Sequence, residues 1–385
     1  MNSKPLYYLD HAAATPLDSR VLDAMVPYFS EKFFNPSSPY SPAIEVRRDY
    51  EAAKHTIAMA IGAKSDEIVI TAGATESINL MINSVGGHVV STVIEHHAVL
   101  EALTAREHTL VSVKTNGVVD AAEIKKAITA KTQLVTVALA NNELGTIQPI
   151  RDIAELVKSE RKLRLEQGNR TPIYLHCDAS QGVGQIDVNV ARLGVDAITI
   201  NAGKIYGPKQ VSLLWTASHV ALSPQILGGG QERGLRSGTE NVAGVIGFAK
   251  AIELAAAHRK SESERLSGLR NALQKKLTDA FPDAIISGSS KKRLPGHLHI
   301  SFPGVDAERL IFALEREGVM VATGSACAAN KGTRSHVLTA IGLAPEVADG
   351  SLRITLGRLT DEAGIATVGD ILVMVINKEI IRKAS

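Results

Sequence analysis

From residue 68 to residue 215, short apolar runs alternate with helical patterns, and that rhythm predicts most of the fold. β-rich runs stand at 68–71, 89–93, 110–113, 134–138, 173–177, 198–200 and 211–215. The gaps between them carry apolar residues at helical spacing over 77–82, 121–130 and 153–164. These strands are apolar almost throughout, where an alternating pattern would mark one wet face. The expected fold class is therefore α/β, a mostly parallel seven-stranded sheet with helices on both faces. Upstream, 6–9 reads as a short strand. Residues 19–29 read as a helix with Val21, Leu22, Met25 and Val26 on one face, and 44–61 as a long helix stopped by Gly62. Residues 34–39 are loop by their Asn, Pro and Ser content, and the polar stretch 163–171 reads as a surface insertion.

Past residue 241 an alanine-rich helix runs to 257, and a charged run over 258–265 continues it. There the pattern changes. A helix at 266–277, strands at 285–286 and 298–302, a helix at 307–317 and strands at 319–322 and 352–355 predict a smaller α+β unit. The expected domains are a large one over 16–260 and a small one formed by 1–15 with 261–385.

Composition narrows the function. The 385 residues are 45% hydrophobic and 21% charged, with a formal net charge of +2, so no global field favours nucleic acid or an anionic membrane. No run reaches the ~18 apolar residues of a membrane span, and residues 1–10 lack the order of a signal peptide. The two cysteines, Cys177 and Cys327, lie far apart without C-x-x-C spacing. That predicts neither a disulfide framework nor a metal site, and suits a reducing cytoplasm.

The chemistry stands where the predicted strands end, the edge at which open α/β sheets bind ligands. The exits read Gly73-Ala74-Thr75-Glu76, Glu95-His96-His97, Asn141-Asn142-Glu143, Asp178-Ala179-Ser180-Gln181 and Asn201-Ala202-Gly203-Lys204. Lys204 follows a β-branched run at once, so its stem lies against apolar backbone and its amine in a cleft. Desolvation there lowers an amine's pKa and makes it a Schiff-base candidate. Pyridoxal phosphate (PLP) chemistry needs such a lysine, a carboxylate facing the pyridine nitrogen, and helix N-terminal N–H groups for the phosphate. Each residue also has a plainer reading: a surface lysine, a helix-capping Asp178, a structural His96, a small buried Cys327.

Taken together, these exits, with Arg236-Ser237-Gly238-Thr239, Lys204-Ile205-Tyr206-Gly207-Pro208 and Gly324-Ser325-Ala326-Cys327, carry a resemblance over nearly the whole chain. The sequence resembles the cysteine desulfurases, fold-type I PLP enzymes of the class V aminotransferase superfamily that supply sulfur for iron–sulfur clusters and thiolated tRNA. The resemblance implies Lys204 as the Schiff-base lysine, Asp178 on the pyridine nitrogen, and His96 stacked on the ring and assisting proton transfer. It places Asn142 and Gln181 near the ring hydroxyl and Ala74, Thr75 and Asn201 at the cofactor. Thr239 would reach the phosphate of a neighbouring subunit, implying a homodimer. Arg353, with Asn35 and Asn142, would hold the carboxylate of L-cysteine. Cys327, in a small polar loop, would attack the substrate sulfur and become a persulfide that passes to a protein acceptor, with L-alanine as the other product. Other readings are a different class V enzyme (an aminotransferase or selenocysteine lyase) or a weakly active partner-binding scaffold. The chain departs from the family at Asn201-Ala202-Gly203, where Ser-Gly-His is usual. The histidine and serine that normally contact the phosphate are absent, which implies looser PLP retention. Thr333-Arg334 also replaces a common Glu-Pro.

Overall fold

The computed structural model describes residues 5–323 and 334–384. After a short strand β1 (Tyr7–Tyr8), seven strands build the main sheet: β2 (Ile68–Thr71), β3 (His88–Thr92), β4 (His108–Val111), β5 (Thr132–Ala138), β6 (Tyr174–Asp178), β7 (Ala197–Asn201) and β8 (Ser212–Thr216). Their spatial order is β2-β8-β7-β6-β5-β3-β4. Only β8 runs against its neighbours, so β2, β3, β5, β6 and β7 all point their C-terminal ends to one edge.

The apolar runs have a simple cause. Ile68, Ile70, Val90, Val135, Val137 and Leu213 pack into one core, while Val69, Val89, Leu134 and Leu214 pack into another on the opposite face. Successive side chains of a strand alternate in direction, so two buried faces require apolar residues at both parities. Each fully buried Ile or Leu contributes roughly 1.5–3 kcal/mol. Helices Ser41–Ile61 and Ile150–Glu166 cover the first face, and helices Ala74–Asn83 and His97–Leu103 cover the second.

The remaining strands are β9 (Ile285–Ile286), β10 (His297–Ser301), β11 (Val319–Met320), β12 (Ala322–Thr323) and β13 (Ser351–Thr355). An antiparallel sheet runs in the order β12-β13-β10-β9, and β1 pairs with β11. A third core lies on this sheet. The helix Val242–Ala280 serves two cores: Val245, Phe248 and Ile252 pack on the large sheet, and Leu266, Leu269, Leu273 and Leu277 on the small one. The charged run over 258–265 lies inside this unbroken helix.

Local differences from the sequence reading have local causes. The expected helix at 19–29 is two pieces, Ser19–Met25 and Pro27–Ser30, because Pro27 has no N–H to continue the first and instead opens the second. The expected insertion at 163–171 is half helix, since Ile150–Glu166 runs into it and buries Arg164 against the carbonyls of Thr129 and Thr132. The sequence pattern does not predict helix His97–Leu103, because its seven residues show little periodicity; its start is set by His96, whose Nδ1 accepts from the Ala98 N–H at 3.1 Å.

Candidate active site

A cleft of about 400 Å³ opens at the shared strand edge, lined by residues from all five exits. On its floor, Asn201 ends β7 and its Oδ1 accepts from the Gly203 N–H at 2.9 Å, folding the tight turn that presents Lys204. Thr15 ties that turn to the N-terminal segment, donating to the Gly203 carbonyl and accepting from the Tyr206 N–H. The Lys204 Nζ donates to the carbonyls of Ala12 and Ala13, each at 2.7 Å. Burial pushes this amine below its usual pKa, and the Arg353 charge adds to the effect; Asp178 and Asp10 oppose it. A lysine closer to its neutral form is a better nucleophile toward an aldehyde.

Asp178 closes β6 next to Lys204, and its Oδ1 accepts from the Ser180 N–H (3.0 Å) and Oγ (2.6 Å). That anchoring fixes the carboxylate and leaves Oδ2 for another partner. Gln181 lines the cleft with its Nε2 on the Ala12 carbonyl at 3.1 Å. His96 is open to the cleft, yet the protein packed around it disfavours charge and lowers its pKa, with Lys204 and His97 adding to this against Asp178. Because Nδ1 accepts from Ala98, a neutral ring carries its proton on Nε2.

Arg353 reaches the cleft from β13, the second sheet. Its Nη2 pairs with Asp10 at 2.7 Å and its Nη1 donates to the Asn142 carbonyl at 3.3 Å. Among the described residues, its Nε is buried without a partner. A buried charged donor lacking an acceptor is costly, and an incoming anion is the natural remedy. At the far end, Gly73 has φ 155° and ψ 162°, a conformation closed to other residues in practice, and a Cβ there would meet open space. It opens the helix Ala74–Asn83, whose first turn faces the cleft with Ala74 and Thr75. Helix N-terminus, anchored carboxylate, desolvated lysine and under-satisfied arginine together fit the phosphate, ring nitrogen and aldehyde of PLP and a substrate carboxylate.

Not every expected residue is in the cleft. Asn35 is exposed outside it, and Thr239 is exposed beside it, in an adjoining pocket of about 340 Å³ that shares Ala72 and Gln210 with the cleft. Cys327 lies outside the described residues. Asn201 spends its oxygen on the Gly203 N–H, and Gly203 offers only backbone. Four further residues had no role in the sequence reading. Asp10 pairs with Arg353, and His336 lines the cleft with Nε2 on the Glu95 carbonyl at 3.0 Å. Glu143 accepts from Ser335 Oγ at 2.6 Å and is pushed up to about 7 by burial, against the opposing pulls of Ser335 and Arg353. Glu95, fully buried behind His96, accepts from Thr92 Oγ1 and the Ala138 N–H and is pushed up to about 8, first by desolvation and then by Asp178. Glu95 and Glu143 stand in the strand-exit motifs, so the signal was present, but burial is not readable from a carboxylate's letter.

Glu95 makes stability depend on pH. Its folded value lies above the ordinary 4.5, so between about 4.5 and about 8 the folded state holds a proton that the unfolded chain releases. Its contribution is therefore full below that window and declines as pH rises through it. Glu95→Gln keeps an acceptor for Ala138 and removes the titration. The melting temperature of the variant minus that of wild type should grow from pH 5 to pH 8; a difference independent of pH contradicts the assignment.

This combination of a mostly parallel seven-stranded sheet, a smaller antiparallel sheet and a lysine–carboxylate cleft defines a fold-type I PLP enzyme. The aminotransferase class-V family pattern matches residues 7–368. A cysteine desulfurase IscS from Dictyoglomus turgidum is 43% identical over 383 residues, covering 96% of this chain and 94% of that protein. Among solved structures, a NifS-like protein superposes with a TM-score of 0.89 at 32% identity, over 97% of this chain and 100% of its own. SspA in complex with cysteine gives 0.77 at 32% identity, over 92% and 99%. The chain belongs to the class V aminotransferases, among the PLP-dependent cysteine desulfurases. Among the described residues, no helix is long and apolar enough to cross a membrane.

Proposed function

We propose that this enzyme converts L-cysteine to L-alanine and holds the sulfur as a persulfide on Cys327 for transfer to a protein acceptor, in iron–sulfur cluster assembly or tRNA thiolation. The observation that carries the reading is the convergence on one cleft of Lys204, Asp178 and His96 from three exits of the main sheet and of Arg353 from the middle of β13. Lys204 would hold the cofactor by its aldehyde, Asp178 would keep the pyridine nitrogen protonated, and Asn142 and Gln181 would approach the ring hydroxyl. Ala74 and Thr75 on the N-terminal turn and Asn201 at the β7 exit would approach the phosphate. When bound, PLP supplies an electron sink for bond breaking in the substrate. His96 would hold a proton at Nε2, and Lys204 would take one from the substrate.

Arg353 would receive the substrate carboxylate, Asn35 approaching from outside the cleft. Its fork then gains the acceptor that Nε lacks among the described residues. Arg353→Lys keeps the charge but loses the fork, and one charge-assisted hydrogen bond is worth at least ~1.5 kcal/mol, roughly tenfold. The KM for L-cysteine should rise about tenfold or more with a smaller change in kcat; an unchanged KM removes Arg353 from the carboxylate.

Thr239 stands exposed at the neighbouring pocket, available to the phosphate site of a second protomer, so the working form is proposed to be a homodimer. The described free cysteine, Cys177, and the absence of cysteine pairing motifs suit a reducing cytoplasm. The test is direct: with L-cysteine, PLP and a thiol reductant, the protein should release alanine and sulfide in equal amounts. Binding of PLP without alanine formation would end the desulfurase reading.

A further inference from the structure

One buried carboxylate outside the cleft joins three segments. Glu232 Oε2 accepts from the Ile70 N–H of β2 at 2.8 Å and from Lys54 Nζ at 2.9 Å, and Oε1 accepts from the Tyr50 hydroxyl at 2.6 Å. Lys54 and Glu232 are both about 5% exposed or a little more, so the pair is fully inside the protein. The backbone around it is bent into a form that non-glycine residues avoid: Glu232 has φ 46° and Arg233 φ 59°. Such a loop keeps its shape only when its surroundings hold it, and the Glu232 hydrogen bonds supply such a hold.

A second tie lies a few residues on. Arg236 Nε donates to Glu76 Oε1 at 3.0 Å, and Glu76 Oε2 accepts from the Ala72 N–H at 2.8 Å. Glu76 is in the first turn of the helix that begins at Ala74. The loop is thus fixed at both ends of the segment 70–76, the one that contains Gly73, Ala74 and Thr75. Thr239 follows Arg236 by three residues and lines the same pocket as Glu232 and Ile70.

We propose that Glu232 and Glu76 are positioning residues that lock the loop over 231–239 to the turn over 70–76. The lock keeps two phosphate-binding edges of the protomer in fixed register: Thr75 toward its own PLP, and Thr239 toward the site of a second copy. The inference rests on the reading of Thr75 and Thr239 as phosphate ligands. It assigns Glu232 and Glu76 no contact with the cofactor.

The sign of the effect separates positioning from plain electrostatics. Glu76→Gln and Glu232→Gln each remove a negative charge near a site for a dianion, so by charge alone PLP should bind more tightly. If the carboxylates act by holding the two segments, PLP should bind less tightly. The measurement is the PLP dissociation constant, by absorbance titration of the cofactor-free dimer, alongside its melting temperature without PLP. We expect each variant to weaken PLP by about tenfold or more. Glu76→Gln should do so with little change in the cofactor-free melting temperature, because its ion pair is partly solvated. That variant therefore decides the matter if Glu232→Gln fails to fold. PLP binding equal to or tighter than wild type in Glu76→Gln overturns the proposal. Failure of wild type itself to bind PLP would instead overturn the cofactor reading.

Discussion

Lys204→Ala should lose alanine formation by at least ~10³-fold, the scale of removing a proton-transferring group and the covalent tether together. The loss should come without unfolding. Among the described residues the amine bonds only to the carbonyls of Ala12 and Ala13, and Gln181 still donates to Ala12 when the lysine is gone. The turn that carries it is built by Asn201 and Thr15, which the substitution leaves untouched. Rates of alanine release together with the visible absorbance of added PLP provide the check. The wild-type cofactor band should shift in the variant, and a rate within tenfold of wild type would remove Lys204 from the chemistry.

Cys327→Ala should abolish alanine formation from L-cysteine while PLP stays bound. The expectation rests on the second cysteine being unable to take over. Cys177 is fully buried inside β6, and burial raises its thiol pKa well above the usual value, with the nearby Asp178 and Glu95 charges raising it further. The thiolate is the reactive form, so Cys177 has neither access nor charge state for sulfur transfer. Persistent alanine release by the variant would mean that sulfur leaves the substrate without Cys327. The flank of its segment is well anchored on the described side: Arg334 forms a bidentate pair with Asp349, and Ser335 bonds Glu143.

Much of this was legible in the sequence for definite reasons. A sheet buried on both faces writes itself as uninterrupted apolar runs, and Ile68-Val69-Ile70 or Leu213-Leu214 serve two cores at once. Once the runs are parallel strands, their exits fall on one edge by topology alone. That is why Thr75, His96, Asn142, Asp178 and Lys204 converge. What stayed hidden depends on the third dimension. Asp10 meets Arg353 across 343 positions, and nothing local to either residue announces the pair. Glu232 looks like a surface residue beside Gln231 and Arg233, and only folding shows it buried against Lys54 and Tyr50. The break at Pro27 was readable in principle, because a proline inside a helical pattern ends the preceding helix.

Delivery of the L-cysteine sulfur from this one cleft to Cys327 is the step on which the proposed function turns. It is tested most directly by a single turnover without reductant, followed by mass spectrometry of the digested protein. One alanine per protomer and one added sulfur atom on the peptide that contains Cys327 are expected, with the Cys177 peptide unchanged. Alanine formed with no sulfur on Cys327, or sulfur on Cys177 instead, would contradict it.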